Sequence, residues 1–121
     1  NPTDKFVADF IGTMNFVPGT VLSATQEGAR VRLHSGVEVS IQGTSPKTGS
    51  CILAIRPEDI LLGAERGADC EVDVRIFLGN VTEYRVRIGE DLLRVQTNAS
   101  VRLEPGDRAR AVIQHALIFP E

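Results

Sequence analysis

The sequence is poor in aromatic residues and in cysteine. It has no Trp, one Tyr and five Phe, and the Phe residues lie among apolar neighbours rather than between Lys and Arg. A surface that stacks nucleic-acid bases on aromatic side chains is therefore disfavoured. The two cysteines, Cys51 and Cys70, show neither a CxxC motif nor a His at zinc-ligand spacing. Their positions near strand starts predict two buried thiols, and a disulfide between them is left open.

The chain also lacks an excess of positive charge and a long apolar run. Its 121 residues carry a net charge of -3 at pH 7, whereas a nucleic-acid partner usually needs a basic face. No apolar run approaches the roughly 18 residues of a membrane-spanning helix, and no signal peptide opens the chain. The length suits one compact domain or two very small lobes. The start at Asn1, without Met, suggests a piece of a longer protein.

Familiar catalytic motifs are missing as well. The sequence has no GxxxxGK phosphate loop, no GxSxG and no HExxH. His34 and His115 are isolated, and neither is expected to be catalytic. Glu58 and Asp59 are adjacent, so on an extended chain they would point to opposite sides and would not act as a pair. We therefore expect no catalytic residue, no cofactor and no metal site in this chain.

What the sequence does have is alternation of apolar and polar residues, which is typical of strands. The alternation begins after Asn15 and predicts strands near 17–23, 31–33, 37–41, 52–55, 72–76, 84–88, 92–96, 109–113 and 115–119. The first of these is expected to be interrupted at Pro18-Gly19. A short helix is predicted before them, since Pro2 suits a first helical position and Gly12 a stop. Its apolar face is formed by Phe6, Val7, Phe10 and Ile11. No other helix is predicted.

The stretch from Cys51 to Gly63 organises the rest of the chain. Ile52–Ile55 predicts a buried strand, and Pro57 should end or bend it because proline lacks a backbone N–H. An Arg-Pro-Glu-Asp corner follows, and then a second apolar run from Ile60 to Leu62. Such a rigid charged corner is either a binding site or a strand exit whose charges face water.

Two halves of the sequence resemble each other. Residues 49–60 match residues 106–117, and Val31-Arg-Leu33 matches Val86-Arg-Ile88. This repeat predicts two lobes, one at about 15–63 and the other at about 68–121. Each lobe alone would be marginal, so we expect the two to share a core and to cover each other's edge strands.

Three segments resemble a known family. Residues from Pro2 to Asn15 match the pattern P-x-x-x-F-V-A-x-F-I-G-x-x-N, which resembles the junction between the nucleotide-binding domain of an ABC importer ATPase and its C-terminal TOBE domain. Ala54-Ile-Arg-Pro-Glu-Asp-Ile60 resembles the second signature of that family. Phe77-Leu-Gly-Asn80, followed by Tyr84, resembles the third.

The resemblance implies an all-β fold of two tandem OB-like barrel lobes, preceded by a short N-terminal helix. Residues 1–14 would be a helical junction from an ATPase domain outside this chain, and residues 15–121 the TOBE domain. The implied role is a non-catalytic regulatory and dimerisation domain of an ATP-binding subunit that serves polyamine, sugar, phosphoglycerol or iron import. The residues of the N-terminal segment favour the importer type that transports spermidine and putrescine. ATP and magnesium would belong to the other domain.

The resemblance also implies partners and a location. The expected partners are a second subunit in a homodimer and membrane permease subunits that contact the ATPase domain, on the inner face of the cell membrane. Residues expected at an interface or at the lobe junction are Phe6, Phe10, Asn15, Arg56, Pro57, Glu58, Leu78 and Gly79. Two alternatives stay open. One is a sensor that binds an oxyanion or the transported solute through glycine turns and Arg56 or Arg75. The other is an OB module that binds single-stranded nucleic acid.

Overall fold

The computed structural model describes residues 14–42, 47–97 and 101–121. These residues form ten strands and one turn of 3-10 helix. The strands are β1 (Asn15–Ala24), β2 (Ala29–Leu33), β3 (Glu38–Ile41), β4 (Gly49–Ile55), β5 (Ile60–Leu62), β6 (Ala68–Phe77), β7 (Thr82–Ile88), β8 (Asp91–Thr97), β9 (Arg108–Ile113) and β10 (Leu117–Pro120). The predicted all-β class is confirmed. The predicted N-terminal helix, with Phe6 and Phe10, lies outside the described residues.

The strands form two five-stranded antiparallel sheets that exchange one strand each. The first sheet has the order β10-β4-β1-β2-β3, and the second has the order β5-β9-β6-β7-β8. The short strand β5 follows β4 in sequence but pairs with β9, and β10 follows β9 but pairs with β4. The sheets therefore do not follow the two halves of the sequence strictly, because each half gives its last strand to the other.

The internal repeat has a structural counterpart. The match of residues 49–60 with 106–117 is displaced by one residue from the structural equivalence, because it aligns the covered Leu53 and Ile60 with the outward-facing Arg110 and Leu117. The match of Val31 with Val86 is structural. Each of them pairs with the residue just before a bulge, namely Val21 in β1 and Val72 in β6. The two halves thus build the same five-strand unit.

Alternating apolar residues form one continuous core between the sheets. Its side chains come from nine strands, and the largest fully buried ones include Leu33, Leu53, Ile55, Tyr84 and Ile88. Burial alternates along β2, for example, where Val31 is covered and its neighbours Arg30 and Arg32 are exposed. This is the pattern expected of strands with one face on a core and one face in water.

Two details of the sequence reading are wrong. Strand β1 is continuous through Pro18 and not interrupted there. The carbonyl oxygen of Pro18 accepts a hydrogen bond from the His34 N–H at 3.0 Å, where the β1–β2 ladder ends. The missing N–H of Pro18 therefore falls at the end of that ladder, which makes proline tolerable. In addition, Pro57–Asp59 form a 3-10 turn, so Glu58 and Asp59 do not lie on an extended chain.

Candidate functional site at the lobe junction

Asn15 joins the first sheet to the second. Its side chain is 6% exposed, although it belongs to a strand whose other covered residues are apolar. The Asn15 Nδ2 group donates to the carbonyl oxygen of Ile55 at 3.2 Å and to that of Arg94 at 2.8 Å. The backbone N–H of Arg94 donates back to Asn15 Oδ1 at 2.8 Å. One amide thus satisfies three backbone groups on β4 and β8, and the structure places Asn15 at the junction.

Glu83 continues this network on β7. Its side chain is only 4% exposed and its carboxylate accepts hydrogen bonds from Arg94 Nη2 at 2.9 Å and Arg85 Nη2 at 3.1 Å. Gln96 Nε2 donates a further bond at 3.2 Å. The hydrogen bond from Arg94, followed by those from Gln96 and Arg85, lowers the pKa of Glu83 against the opposing effect of burial. A buried carboxylate held by two guanidinium groups is fixed in position and stays charged at neutral pH.

The Arg56–Asp59 corner connects β4 to the exchanged strand β5. Pro57 is buried, whereas the side chains of Arg56 and Glu58 are exposed. The Asp59 N–H donates to the carbonyl oxygen of Arg56 at 2.9 Å, and the Asp59 carbonyl oxygen accepts from the Gln114 N–H at 2.8 Å. This turn also contacts β8.

Among the described residues no ion pair of Arg56 or Glu58 is found. Pro57 and the backbone hold the corner, and an interface role for the two exposed charges stays a prediction.

Leu78 and Gly79 lie at the tip of the β6–β7 hairpin. The Leu78 N–H donates to the carbonyl oxygen of Val81 at 2.8 Å, and Gly79 has a φ of 90°. Leu78 is 48% exposed, and its neighbour Phe77 is 70% exposed. Phe77 and Leu78 form a partly exposed apolar tip, and a role of Leu78 and Gly79 at an interface or at the lobe junction stays a prediction.

The β2–β3 and β7–β8 hairpins meet between the lobes. Gly89 lies so close to Ser35 and Val37 that a Cβ at position 89 would overlap the Ser35 side chain. Burial raises the pKa of Asp91, and the nearby His34 acts in the opposite direction. This contact pairs equivalent hairpins of the repeat.

A cleft of about 680 Å³ opens on the other side of the junction. Its walls come from the β1–β2 turn and strands β2 and β3 on one side, and from β9 with the segment before β6 on the other. Arg30 on one wall is paired with Glu38 at 2.9 Å. Arg66 and His115 also line the cleft, and neither makes an ion pair with any residue that the structure describes. The cleft therefore offers one guanidinium group and one imidazole ring to a small ligand.

The cysteines and metal-binding groups are not part of a site in the described ranges. Cys51 and Cys70 are buried and free, and burial raises the pKa of both thiols. Over residues 14–42, 47–97 and 101–121, no three His, Cys, Asp or Glu side chains come together as a metal site. No helix within these ranges is long and apolar enough to cross a membrane.

Sequence reasoning selected Asn15 and Pro57 but missed their partners. Glu83 and Arg94 were not predicted, because a charged residue in an alternating strand is ordinarily exposed. The signal that was available is the row of Glu83, Arg85 and Arg87 on one strand face, which places opposite charges close together.

Residues 53–119 match the TOBE domain family. The chain belongs to that family. Among curated proteins it is 42% identical over 115 residues to the spermidine/putrescine import ATP-binding protein PotA of Ruegeria pomeroyi, covering 89% of this chain and 31% of PotA. It is 37% identical over 87 residues to the Fe(3+) ions import ATP-binding protein FbpC of Agrobacterium fabrum, covering 70% of this chain and 24% of FbpC. This TOBE chain thus spans a third or less of these two relatives, at their C-terminal region.

A solved structure has the same fold. The cytoplasmic molybdate-binding protein ModG, in a form with molybdate bound, superposes with a TM-score of 0.74 over 88% of this chain and 96% of ModG. The two sequences are 16% identical, so the likeness concerns the fold alone. The predicted pair of OB-like lobes is confirmed by this match.

Proposed function

We propose that this TOBE domain is the non-catalytic regulatory and dimerisation part of the ATP-binding subunit of an ABC importer. The observation that carries the proposal is the position of the match, since the chain corresponds to the C-terminal region of PotA and FbpC and spans at most a third of either. ATP hydrolysis with magnesium then belongs to a separate domain of the subunit. In this proposal the subunit works at the inner face of the membrane with permease partners.

The proposed solute is a polyamine such as spermidine or putrescine. PotA, the relative with the higher identity of the two, is named for spermidine and putrescine import, and FbpC is named for iron import.

A regulatory domain has to pass a change in one lobe to the other. The Asn15–Arg94–Glu83 network gives the two sheets a rigid connection that suits this task.

The test uses the full-length subunit and this chain in parallel. The isolated chain is expected to show no ATP turnover, and measured turnover would overturn the non-catalytic assignment. Truncation of the full-length subunit immediately before Asn15, which removes this domain, should leave the ATPase region able to hydrolyse ATP but should abolish the coupling of hydrolysis to solute uptake. Uptake of labelled spermidine, putrescine and Fe³⁺ by the complete transporter then identifies the solute.

A second candidate function is a small-ligand sensor within such a transporter. The supporting observation is the inter-lobe cleft, where Arg66 and His115 lie without an ion-pair partner among the described residues. A guanidinium group recognises oxyanions through its forked donors, and ModG, which shares the fold, is a molybdate-binding protein.

Calorimetry separates this candidate from the first. The titrants are molybdate, sulfate, phosphate and spermidine, and the matched variants are Arg66→Ala in the cleft and Arg102→Ala outside it. The sensor function predicts heat with at least one titrant that is lost in R66A and kept in R102A. Flat traces for all four would reject the sensor and leave the first proposal intact.

A further inference from the structure

The outer face of the first sheet carries an apolar patch that crosses β1, β4 and β10. Two cross-strand rows form this patch, which we call the apolar face: Phe16, Ala54 and Leu117 in one row, and Pro18, Ile52 and Phe119 in the other. None of these six residues is charged, and Ala54, between Phe16 and Leu117, is covered at 1% exposed. Phe16, Leu117 and Phe119 are 40%, 50% and 47% exposed, so these large side chains remain partly exposed to water in the isolated domain.

The second half of the repeat shows that the fold does not require this composition. On the second sheet, the strands equivalent to β1 and β4 are β6 and β9. They pair Asp69 with Arg110 and Glu71 with Arg108 on the outer face. By register, the Asp69–Arg110 pair takes the place of Pro18 and Ile52, so the fold does not require that row to be apolar. The row of Phe16, Ala54 and Leu117 corresponds to Gly67, Val112 and Leu61 and is apolar on both sheets. Exposed apolar residues in a row that folding does not require to be apolar indicate a contact with another molecule.

The contact is made by the face of the sheet and not by its edge. In the described residues no strand pairs with the open side of β10. The Glu121 N–H donates to the Ser50 carbonyl oxygen at 3.0 Å. Because backbone groups alternate between the two sides of a strand, those of Ile118 and Pro120 point towards the open edge. Pro120 has no N–H to offer there. A proline at this position hinders the pairing of a further strand with the open edge of β10.

The charges beside the apolar face are complementary under a two-fold rotation. Pairing places Arg32, Thr20 and Ser50 in one row, and Glu121 follows at its end beside Ser50. Arg32 thus lies on one side of the apolar face and Glu121 on the other, and Arg32 is held only loosely by Glu38 at 3.9 Å. A two-fold axis parallel to the strands would bring Glu121 of one copy opposite Arg32 of the other, at both ends of the contact.

We propose that the apolar face is the docking surface for a second copy of this chain, packed face to face about a two-fold axis parallel to the strands. Strand β4 of each copy lies over β1 of the other, and Arg32 pairs with Glu121 at each rim. The absence of charge from the face makes it self-complementary, because no like charges meet at the centre. This inference rests on the dimerisation part of the proposed function and names its surface.

The size of the face sets the expected strength. A stable interface buries about 800 Å² on each partner, and six side chains in two short rows cover less than that. The isolated chain should therefore associate weakly, with a dissociation constant on the order of 10 μM to 1 mM. Sedimentation equilibrium over this concentration range measures it directly.

The main test compares Phe119→Glu with Leu61→Glu. Leu61 is the matched control, because it lies on the exchanged strand of the second sheet and is 45% exposed. F119E should weaken self-association at least about tenfold, and L61E should leave it unchanged. Equal effects of the two variants, or a wild-type chain that stays monomeric at 1 mM, would overturn the proposal. Circular dichroism confirms that both variants are folded before they are compared.

A charge exchange tests the orientation of the two copies. Arg32→Glu should weaken association, and the double variant Arg32→Glu with Glu121→Arg should restore it, because the rim pair is re-formed with its signs reversed. If the double variant is as weak as or weaker than R32E, the proposed axis is wrong.

Residues 1–13 are the competing occupant of the apolar face, since the chain enters the face at Phe16. Deletion of residues 1–13 should leave self-association unchanged within about threefold. An increase of tenfold or more would mean that this segment, and not a second copy, covers the face. A failure in any of these tests concerns the surface only, because the regulatory role is decided separately by the coupling of ATP hydrolysis to uptake.

Discussion

The side-chain amide of Asn15 and the backbone of Arg94 exchange two hydrogen bonds of 2.8 Å each, and this exchange joins the first strand of the first sheet to the edge strand of the second. A backbone group on an edge strand has no neighbour strand to pair with, so the amide takes the place of one. The same Asn15 side chain also caps the carbonyl oxygen of Ile55 at the end of β4. A single buried residue thus fixes the relative position of β1, β4 and β8.

Replacement of Asn15 by Ala should destabilise the domain by about 2–3 kcal/mol, because three backbone groups lose their partner in a covered position. Urea unfolding followed by circular dichroism measures the change. Thr20→Ala on the exposed side of the same strand is the control, and it should alter the unfolding free energy by less than about 0.5 kcal/mol. Similar losses in the two variants would mean that the amide adds nothing specific.

Glu83 should make stability depend on pH. Its pKa lies below the ordinary value of 4.5, chiefly because Arg94 hydrogen-bonds the charged form. A group with a lowered pKa stabilises the fold above its unfolded value, and this stabilisation is lost as the pH falls through the folded value. Glu83→Gln should therefore cost about 2 kcal/mol at pH 7 and progressively less below pH 4.5.

The matched control for this pH dependence is Glu104→Gln. Glu104 also faces two arginines, Arg75 and Arg102, but its side chain is 55% exposed. Solvent screens such pairs, so E104Q should change the unfolding free energy by less than about 0.5 kcal/mol at any pH. A constant difference between wild type and E83Q from pH 7 to pH 3 would show that the cost of E83Q is not electrostatic.

Tyr84 should hold the segment before β9 in place. Its ring is fully buried, and its hydroxyl donates to the Val101 carbonyl oxygen at 3.3 Å and accepts from the Leu103 N–H at 3.0 Å. Tyr84→Phe keeps the buried ring but removes both bonds, so we expect a loss of about 1–2 kcal/mol. In Y84F, the Leu103 amide should exchange hydrogen faster than it does in the wild type, and this increase should exceed any increase at the amides of β7. Unchanged exchange at Leu103 would contradict this role.

The sequence predicts the strands of this domain better than their partners. Alternation identifies β2 and β3 because every second residue within each strand, from Ala29 to Leu33 and from Val39 to Ile41, is covered by the core. The exchange of β5 and β10 leaves no such signature, since either partner strand would bury the same alternate residues. Pro57 marks the corner, but nothing local says that the chain then crosses to the other sheet.

The candidate site was predictable only in part, for the same physical reason. Asn15 was selected through a family resemblance, while its partner Arg94 is 79 residues away in the chain. Glu83 lies on the polar phase of its strand, where a charged side chain ordinarily faces water. Its burial arises because Arg94 and Arg85 lie over it, and this depends on the register between β7 and β8.

Gly67, just before β6, should tolerate no side chain. Its φ is 120°, and a Cβ there would overlap the carbonyl oxygen of Ala111 on β9. Gly63→Ala is the matched control, because Gly63 also has a positive φ, of 81°, but has nothing within 4 Å of the added methyl group. Both substitutions carry the conformational cost of a positive φ, about 1–2 kcal/mol, so their difference isolates the overlap. Gly67→Ala should cost about 2 kcal/mol more than Gly63→Ala in urea unfolding. Equal costs would mean that β6 and β9 can separate locally without loss, which would contradict the close packing of the two strands at this point.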